Sequence, residues 1–180
     1  FAKVSGPAWI SVDPDTGRLS GDSTGNSGVA TLRLSVTDQS GLSAEADVIV
    51  DVNAVPRVAG GGVSVVEGGA LAFAFTPTDA DGPVADLTLA LVSAPTWISF
   101  DPATGRVTGD SAGRVGRHDI VVSVTDRDGL TSQGTLTVTV LAVPVLTGGS
   151  VTLTEGAALA FTPTVRDADS TPAQFTFAKV

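Results

Sequence analysis

Apolar residues alternate with polar ones along much of this chain. The pattern is clearest in two runs, Ile120/Val122/Val124 and Leu136/Val138/Val140, where serine and threonine stand among the apolar positions. A period of two is typical of β-strands with one buried face. Further runs with this period are Leu32/Leu34/Val36, Val48/Val50/Val52, Leu71/Phe73/Phe75 and Leu87/Leu89/Leu91. Since no stretch has a convincing helical period, we predict an all-β chain.

Turn-forming sequences separate the predicted strands. They include residues 79–82 (DADG), 101–105 (DPATG) and 126–129 (DRDG). Proline fixes φ at the second position of a turn, and glycine accepts a positive φ, so both residues favour a change of chain direction. About seven short strands in 88 residues predict a two-sheet, Greek-key β-sandwich of the immunoglobulin type.

The sequence also repeats itself every 88 residues. Trp9 corresponds to Trp97, Pro56 to Pro144, and the tetrapeptide FAKV stands at positions 1–4 and 177–180. A period of this length is too long for one turn of a solenoid and suits a small domain. We therefore predict the C-terminal part of a repeat in residues 1–54, a complete repeat in residues 55–142 and the N-terminal part of a third in residues 143–180.

The two partial repeats allow two interpretations. The chain is either a section of a longer array, or the last segment of one molecule completes the first segment of the next, as in donor-strand complementation. A partial sandwich alone would expose the inner face of its sheet to water. This exposure carries a free-energy cost of ~25 cal/mol per Å² of apolar area. We therefore expect both partial repeats to be covered, and head-to-tail self-association is one way of covering them.

Charge and composition narrow the range of partners. The net charge of −9 and the pI near 4.3 make nucleic acid and anionic membranes poor partners and cations good ones. No apolar run approaches the ~20 residues that span a bilayer, so we predict no direct membrane insertion. The absence of cysteine excludes disulfides and thiolate metal sites.

Residues 95–109 (PTWISFDPATGRVTG), followed by VTD at 124–126 and by Gly129-Leu130, resemble the dystroglycan-type cadherin-like or putative-Ig repeats. The first partial repeat carries the same pattern from Ala8 to Gly21, with VTD at 36–38. Repeats of this family occur in tandem in large bacterial surface and secreted proteins. The resemblance therefore implies a cadherin-like sandwich at the cell surface or outside the cell.

The resemblance also implies calcium at the junctions between repeats. Calcium takes six to eight hard oxygen ligands, which the fold must gather from separate segments. The residues similar to cadherin ligands at the first junction are Asp51, Asn53, Asp79, Asp81 and Asp126. At the second junction they are Glu67, Asp167 and Asp169. There the linker reads Leu141-Ala142-Val143-Pro144 and has lost both polar ligands, so we expect the first junction to be the better site.

An alternative interpretation of each acidic residue is purely structural. Asp and Asn accept backbone hydrogen bonds in turns, and a single Asp in a loop is more often a turn residue than a ligand. For Asp13 and Asp101, which precede proline, we favour the structural role. An EF-hand is rejected, because neither Asp79-x-Asp81 nor Asp126-x-Asp128 continues with the further ligands and the late glutamate of that loop.

Residues 21–25 (GDSTG) and 109–113 (GDSAG) match the G-x-S-x-G pattern of a nucleophile elbow. That chemistry needs a strand-to-helix turn and a histidine near the serine. No helix is predicted there, and the single histidine, His118, is replaced by Ala30 in the first partial repeat. We predict no catalytic residues. Gly60-Gly61-Gly62 leads into a strand rather than a helix, which argues against a phosphate-binding loop.

These observations predict a structural or adhesive repeat that acts as a stalk or cell-adhesion element. Its expected partners are the neighbouring repeats of the same chain, other copies of the chain, and a cell-surface glycan or protein. One alternative is a carbohydrate- or glycoprotein-binding module, which an exposed Trp9 or Trp97 would favour. Another is a spacer beside a catalytic domain elsewhere in the parent chain.

Overall fold

The computed structural model describes residues 1–179; Val180, the last residue of the repeated tetrapeptide, lies outside the described residues. The first partial repeat contains the strands β1 (Ala2–Ser5), β2 (Ile10–Val12), β3 (Leu19–Gly21), β4 (Gly28–Thr37) and β5 (Ser43–Val52). The last segment contains β15 (Val145–Thr147), β16 (Thr164–Arg166) and a 3-10 helix at Pro172–Gln174.

The complete repeat contains the strands between these two groups. They are β6 (Arg57–Val58), β7 (Gly61–Val66), β8 (Ala70–Ala74), β9 (Pro77–Thr78), β10 (Thr88–Ser93), β11 (Ile98–Asp101), β12 (Arg106–Asp110), β13 (Gly116–Thr125) and β14 (Thr131–Leu141). A 3-10 helix at Val84–Asp86 precedes β10. Apart from the two-residue strands β6 and β9, seven strands remain, the number that the sequence predicts. The all-β prediction is therefore confirmed.

The chain forms two compact units that are not contiguous in sequence. The first unit comprises Phe1–Val58, Pro77–Thr88 and Val124–Ser132, and the second comprises Ala59–Thr76, Leu89–Ser123 and Gln133–Val180. These units group segments that lie close in space. The domain boundaries drawn from the 88-residue repeat, after residues 54 and 142, stay a prediction.

In the first unit, β4 is the central strand of a sheet with the order β1-β4-β5, and β2 pairs with β3. The β4–β5 pairing runs antiparallel without interruption from Gly28↔Val52 to Thr37↔Ser43. Leu32 in β4 is fully buried, and Ile10 in β2 is nearly so. Strand β6 pairs with β9, placing the linker that precedes the complete repeat beside the loop that follows β9.

The second unit contains most of a four-stranded sheet, in the order β10-β13-β14-β7, and the three-stranded sheet β11-β12-β8. Strands β7 and β14 run parallel, from Leu136↔Gly61 to Leu141↔Val66. Most of the predicted inward positions are buried: Leu71, Ile120, Val122, Val124, Leu136, Val138 and Val140 all have 2% exposure or less, and so has Val107 in β12. A core built from alternating residues of both sheets is what an immunoglobulin-like sandwich requires.

Candidate functional site

The predicted ligands of the first junction all come from the first unit, and each lies at or just beyond a strand end. Asp51 is the penultimate residue of β5, and Asn53 follows that strand directly. Asp79 follows β9, Asp81 comes two residues later, and Asp126 follows β13. These five side chains line one open cleft together with Gly28 and Pro83.

Hydrogen bonds connect the linker to the acidic loops on either side of it. The Asn53 Nδ2 atom donates to Asp126 Oδ2 at 3.1 Å, and the Ala54 backbone N–H donates to Asp81 Oδ2 at 3.1 Å. Asp126 lies 73 residues away from Asn53 in sequence. The linker is therefore held by both loops.

Two of the acidic residues also have the structural role expected of turn residues. The Leu130 backbone N–H donates to Asp126 Oδ1 at 2.8 Å, which closes the turn after β13. Asp38 makes the same bond in the first partial repeat, where Leu42 donates at 2.9 Å. At Asp79, the backbone N–H of Ala80 donates to Oδ1 at 2.7 Å. For Asp126 the structural and the linker-facing roles coexist, because each uses a different oxygen.

The electrostatics of the cleft show that its carboxylates are crowded. The pKa of Asp79 lies above its ordinary value of 3.8, first because the carboxyl group is partly withdrawn from water. The neighbouring Asp81 and Asp126 raise that pKa further, since their negative charges disfavour ionisation. A cation in the cleft would relieve this repulsion.

Two further acidic residues line the cleft, and the sequence analysis did not single them out as ligands. They are Asp86, in the 3-10 helix after the Asp79 loop, and Asp128, in the turn after β13. Arg127 is also part of the wall. For Asp128, the sequence signal was its place as the second acidic residue of the Asp126-x-Asp128 pattern. Asp86 gave no signal, because its place beside the cleft depends on the helix that carries it.

The side-chain oxygens that line the cleft belong to carboxylates and one amide, and oxygens of this kind suit a hard cation. Their spacing is less favourable: within residues 1–179, no three acidic or histidine side chains already stand close enough together to hold an ion. Asn53 and Ala54 occupy carboxylate oxygens of Asp126 and Asp81. Calcium would have to displace these hydrogen bonds and draw the loops together.

The second junction repeats one contact of the first. The Ala142 backbone N–H donates to Asp169 Oδ2 at 3.0 Å, one repeat after the bond between Ala54 and Asp81. This bond is the main reason why the pKa of Asp169 lies below its ordinary value of 3.8. Asp167 Oδ1 is buried and has no hydrogen-bond partner among the described residues.

Glu67, the third predicted ligand of the second junction, makes hydrogen bonds within the complete repeat. Its Oε1 atom accepts a hydrogen bond from the Gly113 backbone N–H at 3.0 Å, and its own N–H donates to Leu141 O at 2.8 Å. Leu141 stands where the first linker has Asn53. The second linker therefore offers no side-chain oxygen at this position, as its sequence indicates.

The serine of the second G-x-S-x-G sequence is part of the core. Ser111 is fully buried, and its hydroxyl lies 3.0 Å from Val66 O and 2.7 Å from Gly69 O. His118 instead places Nε2 2.7 Å from Arg114 O and packs its ring edge-on against Trp97. A hydroxyl that is tied to two carbonyls in the core holds a loop in place.

The side chains of Trp9 and Trp97 are half-buried rather than fully exposed to solvent. Trp97 Nε1 is buried without a hydrogen-bond partner among the described residues. A Cβ added at Gly109 would lie 2.7 Å from Cε3 of Trp97. The ring of Trp97 is thus packed on the backbone of β12.

The all-β sandwich, the tandem repeat and the acidic linker define an immunoglobulin-like or cadherin-like repeat protein. The family named Putative Ig domain matches residues 2–53 and 57–141, and the chain belongs to this family. Domains of this class generally serve in adhesion or as structural repeats and are typically non-catalytic. No curated protein matches the chain in sequence.

Solved structures with a similar fold are cadherin ectodomains. The protocadherin GammaB4 extracellular domain shares 15% identity, with a TM-score of 0.48, over 93% of this chain and 34% of its own. Human CDH23 EC21-23 shares 18% identity, with a TM-score of 0.44, over 93% of this chain and 68% of its own. Protocadherin gammaB7 EC3-6, described as a cis-dimer, shares 23% identity, with a TM-score of 0.45, over 77% and 40%. This chain therefore spans about a third to a half of the protocadherins it resembles.

The described residues include no helix that is long and apolar enough to cross a membrane.

Proposed function

We propose that this chain is a structural and adhesive segment of an extracellular bacterial surface or secreted protein, and that calcium stiffens its first inter-repeat junction. The observation that carries the proposal is the cleft around Asn53, where acidic loops from two distant segments reach one linker. Covalent connection leaves a linker free to bend, and an ion that holds both loops and the linker would restrict that bending.

Asp79, Asp81 and Asp126 are the residues that we expect to hold the ion, with Asp51 and Asn53 from the linker. The raised pKa of Asp79 supports this assignment, because its carboxyl group is partly withdrawn from water and the negative charges of Asp81 and Asp126 lie nearby. A calcium ion would offset these negative charges and fix the linker. Neighbouring repeats of the same chain, other copies of the chain and a cell-surface glycan or protein are the partners we propose.

The test is thermal unfolding of the chain in excess calcium and in chelator, together with calorimetric titration of the metal-free protein. An ion that binds only the folded state stabilises by about 2.7 kcal/mol at a concentration a hundredfold above its Kd. We therefore expect a rise of several degrees in Tm with calcium, and a measurable binding heat.

Two double variants at equivalent positions of successive repeats locate the site. Asp79→Asn with Asp81→Asn is expected to abolish the calcium-dependent rise in Tm. Asp167→Asn with Asp169→Asn removes the same charge one repeat later, where the linker carries Leu141, and is expected to leave most of the rise intact. Absence of any calcium effect on the unchanged chain, or equal losses from the two pairs, would exclude a calcium-stiffened first junction.

A further inference from the structure

Strand β8 has an open edge in the interior of the complete repeat. It is the last strand of the sheet β11-β12-β8, and among the described residues only β12 pairs with it. The Phe75 N–H, directly after β8, donates to Gly105 O at 3.0 Å, on the side of β12. Backbone groups of successive residues point to opposite edges of a strand. The N–H and C=O groups of Ala70, Ala72 and Ala74 therefore face the open edge.

This edge has none of the features that usually prevent a second strand from adding to it. Proteins protect such edges with charged residues, with proline or with a bulge. Residues 70–74 (ALAFA) contain no charge and no proline. Their pairing with β12 is regular from Arg106↔Ala74 to Asp110↔Ala70, and the three alanines are exposed. An uncharged, regular and exposed edge is a template for strand addition.

The neighbouring strand β12 places one charge of each sign beside this edge. Arg106 lies opposite Ala74 and Asp110 lies opposite Ala70, and both charged side chains are exposed. Arg106 also lines both shallow grooves that lie along β8. Among the described residues, neither Arg106 nor Asp110 forms an ion pair. Both charges are therefore available to a strand that adds to β8.

An antiparallel copy of β8 satisfies the backbone and the charges in the same register. If Ala72 lies opposite Ala72 of the second copy, Ala70 lies opposite Ala74 of that copy. All three alanines then form hydrogen-bonded pairs. On the outer face, Asp110 of each molecule lies in one row with Arg106 of the other. Their Cα atoms are three strand spacings apart, roughly 14 Å, and the arginine side chain shortens the gap between the charges across the small alanines.

We propose that two molecules of this chain associate by antiparallel pairing of β8 with β8, which joins their two three-stranded sheets into one sheet. Identical edges meet across a two-fold axis, so the contact is isologous and closes at a dimer. A shift of two residues would leave one alanine of each copy unpaired and would place Asp110 in a row with Thr108. Complete backbone pairing and charge complementarity therefore select the same register.

A second copy is the occupant that the charges favour, because it brings an arginine to each aspartate and an aspartate to each arginine. The proposal rests on the association between copies of the chain proposed above, and it assigns a surface to that association. All the residues involved belong to the second compact unit, whereas the acidic cleft belongs to the first. The dimer therefore does not depend on calcium.

Light scattering of the 180-residue chain during size-exclusion chromatography, in chelator and across a dilution series, tests the association. We expect the mass to rise with concentration from the monomer value of 17.9 kDa toward twice that value. Ala72→Pro removes the central N–H of the open edge and should weaken the dimer at least tenfold. Ala72→Ser keeps that N–H and should leave the association nearly unchanged.

The Ala72 N–H does not face β12, so neither variant removes a hydrogen bond of the sheet, and circular dichroism checks that both fold. A monomer at every concentration, or equal association of the two variants, overturns the proposal. Because calcium is absent from this experiment, its failure is distinct from a failure of the calcium-stiffened junction.

Charge reversals test which residues share a row. Arg106→Glu and Asp110→Lys each place like charges in both rows, so each variant alone should associate several times more weakly at low salt. An equal mixture of the two variants restores opposite charges to both rows and should recover the association. If the mixture associates no better than either variant alone, the antiparallel arrangement is wrong.

Single cysteines test the register, since the chain has none of its own. Ala72→Cys places each thiol opposite its copy, at a Cα separation of about 5.5 Å that a disulfide can bridge. This variant should give a covalent dimer on a non-reducing gel. Ala70→Cys is equally exposed, but its copies lie four residues apart along the strands, roughly 13 Å, and it should crosslink at least tenfold more slowly. Equal crosslinking of the two variants would overturn the proposed register.

Discussion

The indole ring of Trp97 lies against the backbone of Gly109. A Cβ at residue 109 would come within 2.7 Å of Cε3 and 2.9 Å of Cζ3 of that ring. The two residues meet because β11 and β12 pair Ile98 with Gly109. Trp9 and Gly21 form the same contact in the first partial repeat, where the distance from the added Cβ to Cε3 would be 3.0 Å. The ring and the glycine therefore act as one packing element of the repeat.

Replacing Gly109 by alanine should destabilise the complete repeat. The added methyl group would overlap the indole ring and the Trp97 carbonyl oxygen, and overpacking of this kind costs about 1–3 kcal/mol. Urea unfolding followed by tryptophan fluorescence measures the change. Gly62→Ala is the matched control, because a Cβ there meets nothing within 4 Å. If both variants unfold at the same urea concentration, the contact between Trp97 and Gly109 does not contribute to the stability of the repeat.

Replacing Ser111 by alanine should also destabilise the repeat. The buried hydroxyl donates toward Val66 O and Gly69 O, and the loss of such a hydrogen bond costs about 0.5–1.5 kcal/mol. Ser23→Ala is the control, since Ser23 occupies the same position of the first partial repeat but is exposed. Thermal unfolding should show a lower Tm for the first variant only. A neutral Ser111→Ala would contradict the structural role assigned to this hydroxyl.

The stability of the complete repeat should fall in acid partly because of Asp101. The pKa of Asp101 lies below its ordinary value of 3.8, chiefly because the Thr104 hydroxyl donates to it at 2.6 Å, and also because the Ala103 N–H donates at 3.0 Å. A carboxylate with a lowered folded-state pKa contributes stability that is present above the ordinary value. That stability is lost as the pH falls below 3.8 and through the lower folded-state pKa.

Denaturant unfolding between pH 2 and pH 7 measures this contribution. Asp101→Asn should unfold more easily than the unchanged chain at pH 7, with the difference shrinking toward pH 2. Asp15→Asn removes a charge from another exposed loop and is the control for the change in net charge. A difference between Asp101→Asn and the unchanged chain that stays constant with pH would mean that the hydrogen bonds to Asp101 do not depend on its ionisation.

The strands could be predicted because burial on one face leaves a period of two in the sequence. Ile120, Val122 and Val124 follow that rule completely. It fails at Leu91, which is 43% exposed, because β10 is the edge strand of its sheet. The rule also fails at Val36 in β4, which is 42% exposed. Periodicity states which face is apolar, whereas burial depends on what lies opposite that face.

Other features depend on contacts distant in sequence and left no local signal. The parallel pairing of β7 with β14 joins residues about 75 positions apart, and the GDSAG sequence gave no indication that Ser111 is buried. The same limit applies to the acidic cleft. Asp79, Asp81 and Asp126 could be grouped from a family resemblance, but Asp86 could not, since its place beside them comes from the fold. Calcium binding by this group stays a prediction.

The parallel arrangement of β7 and β14 has a consequence for a repeat that carries load. The chain enters the complete repeat near the start of β7 and leaves it at the end of β14, and these two points lie at opposite ends of the paired strands. A pulling force applied through the neighbouring repeats therefore slides the strands along each other. Under such shear, all the hydrogen bonds between Gly61–Val66 and Leu136–Leu141 bear the force together, instead of opening one after another.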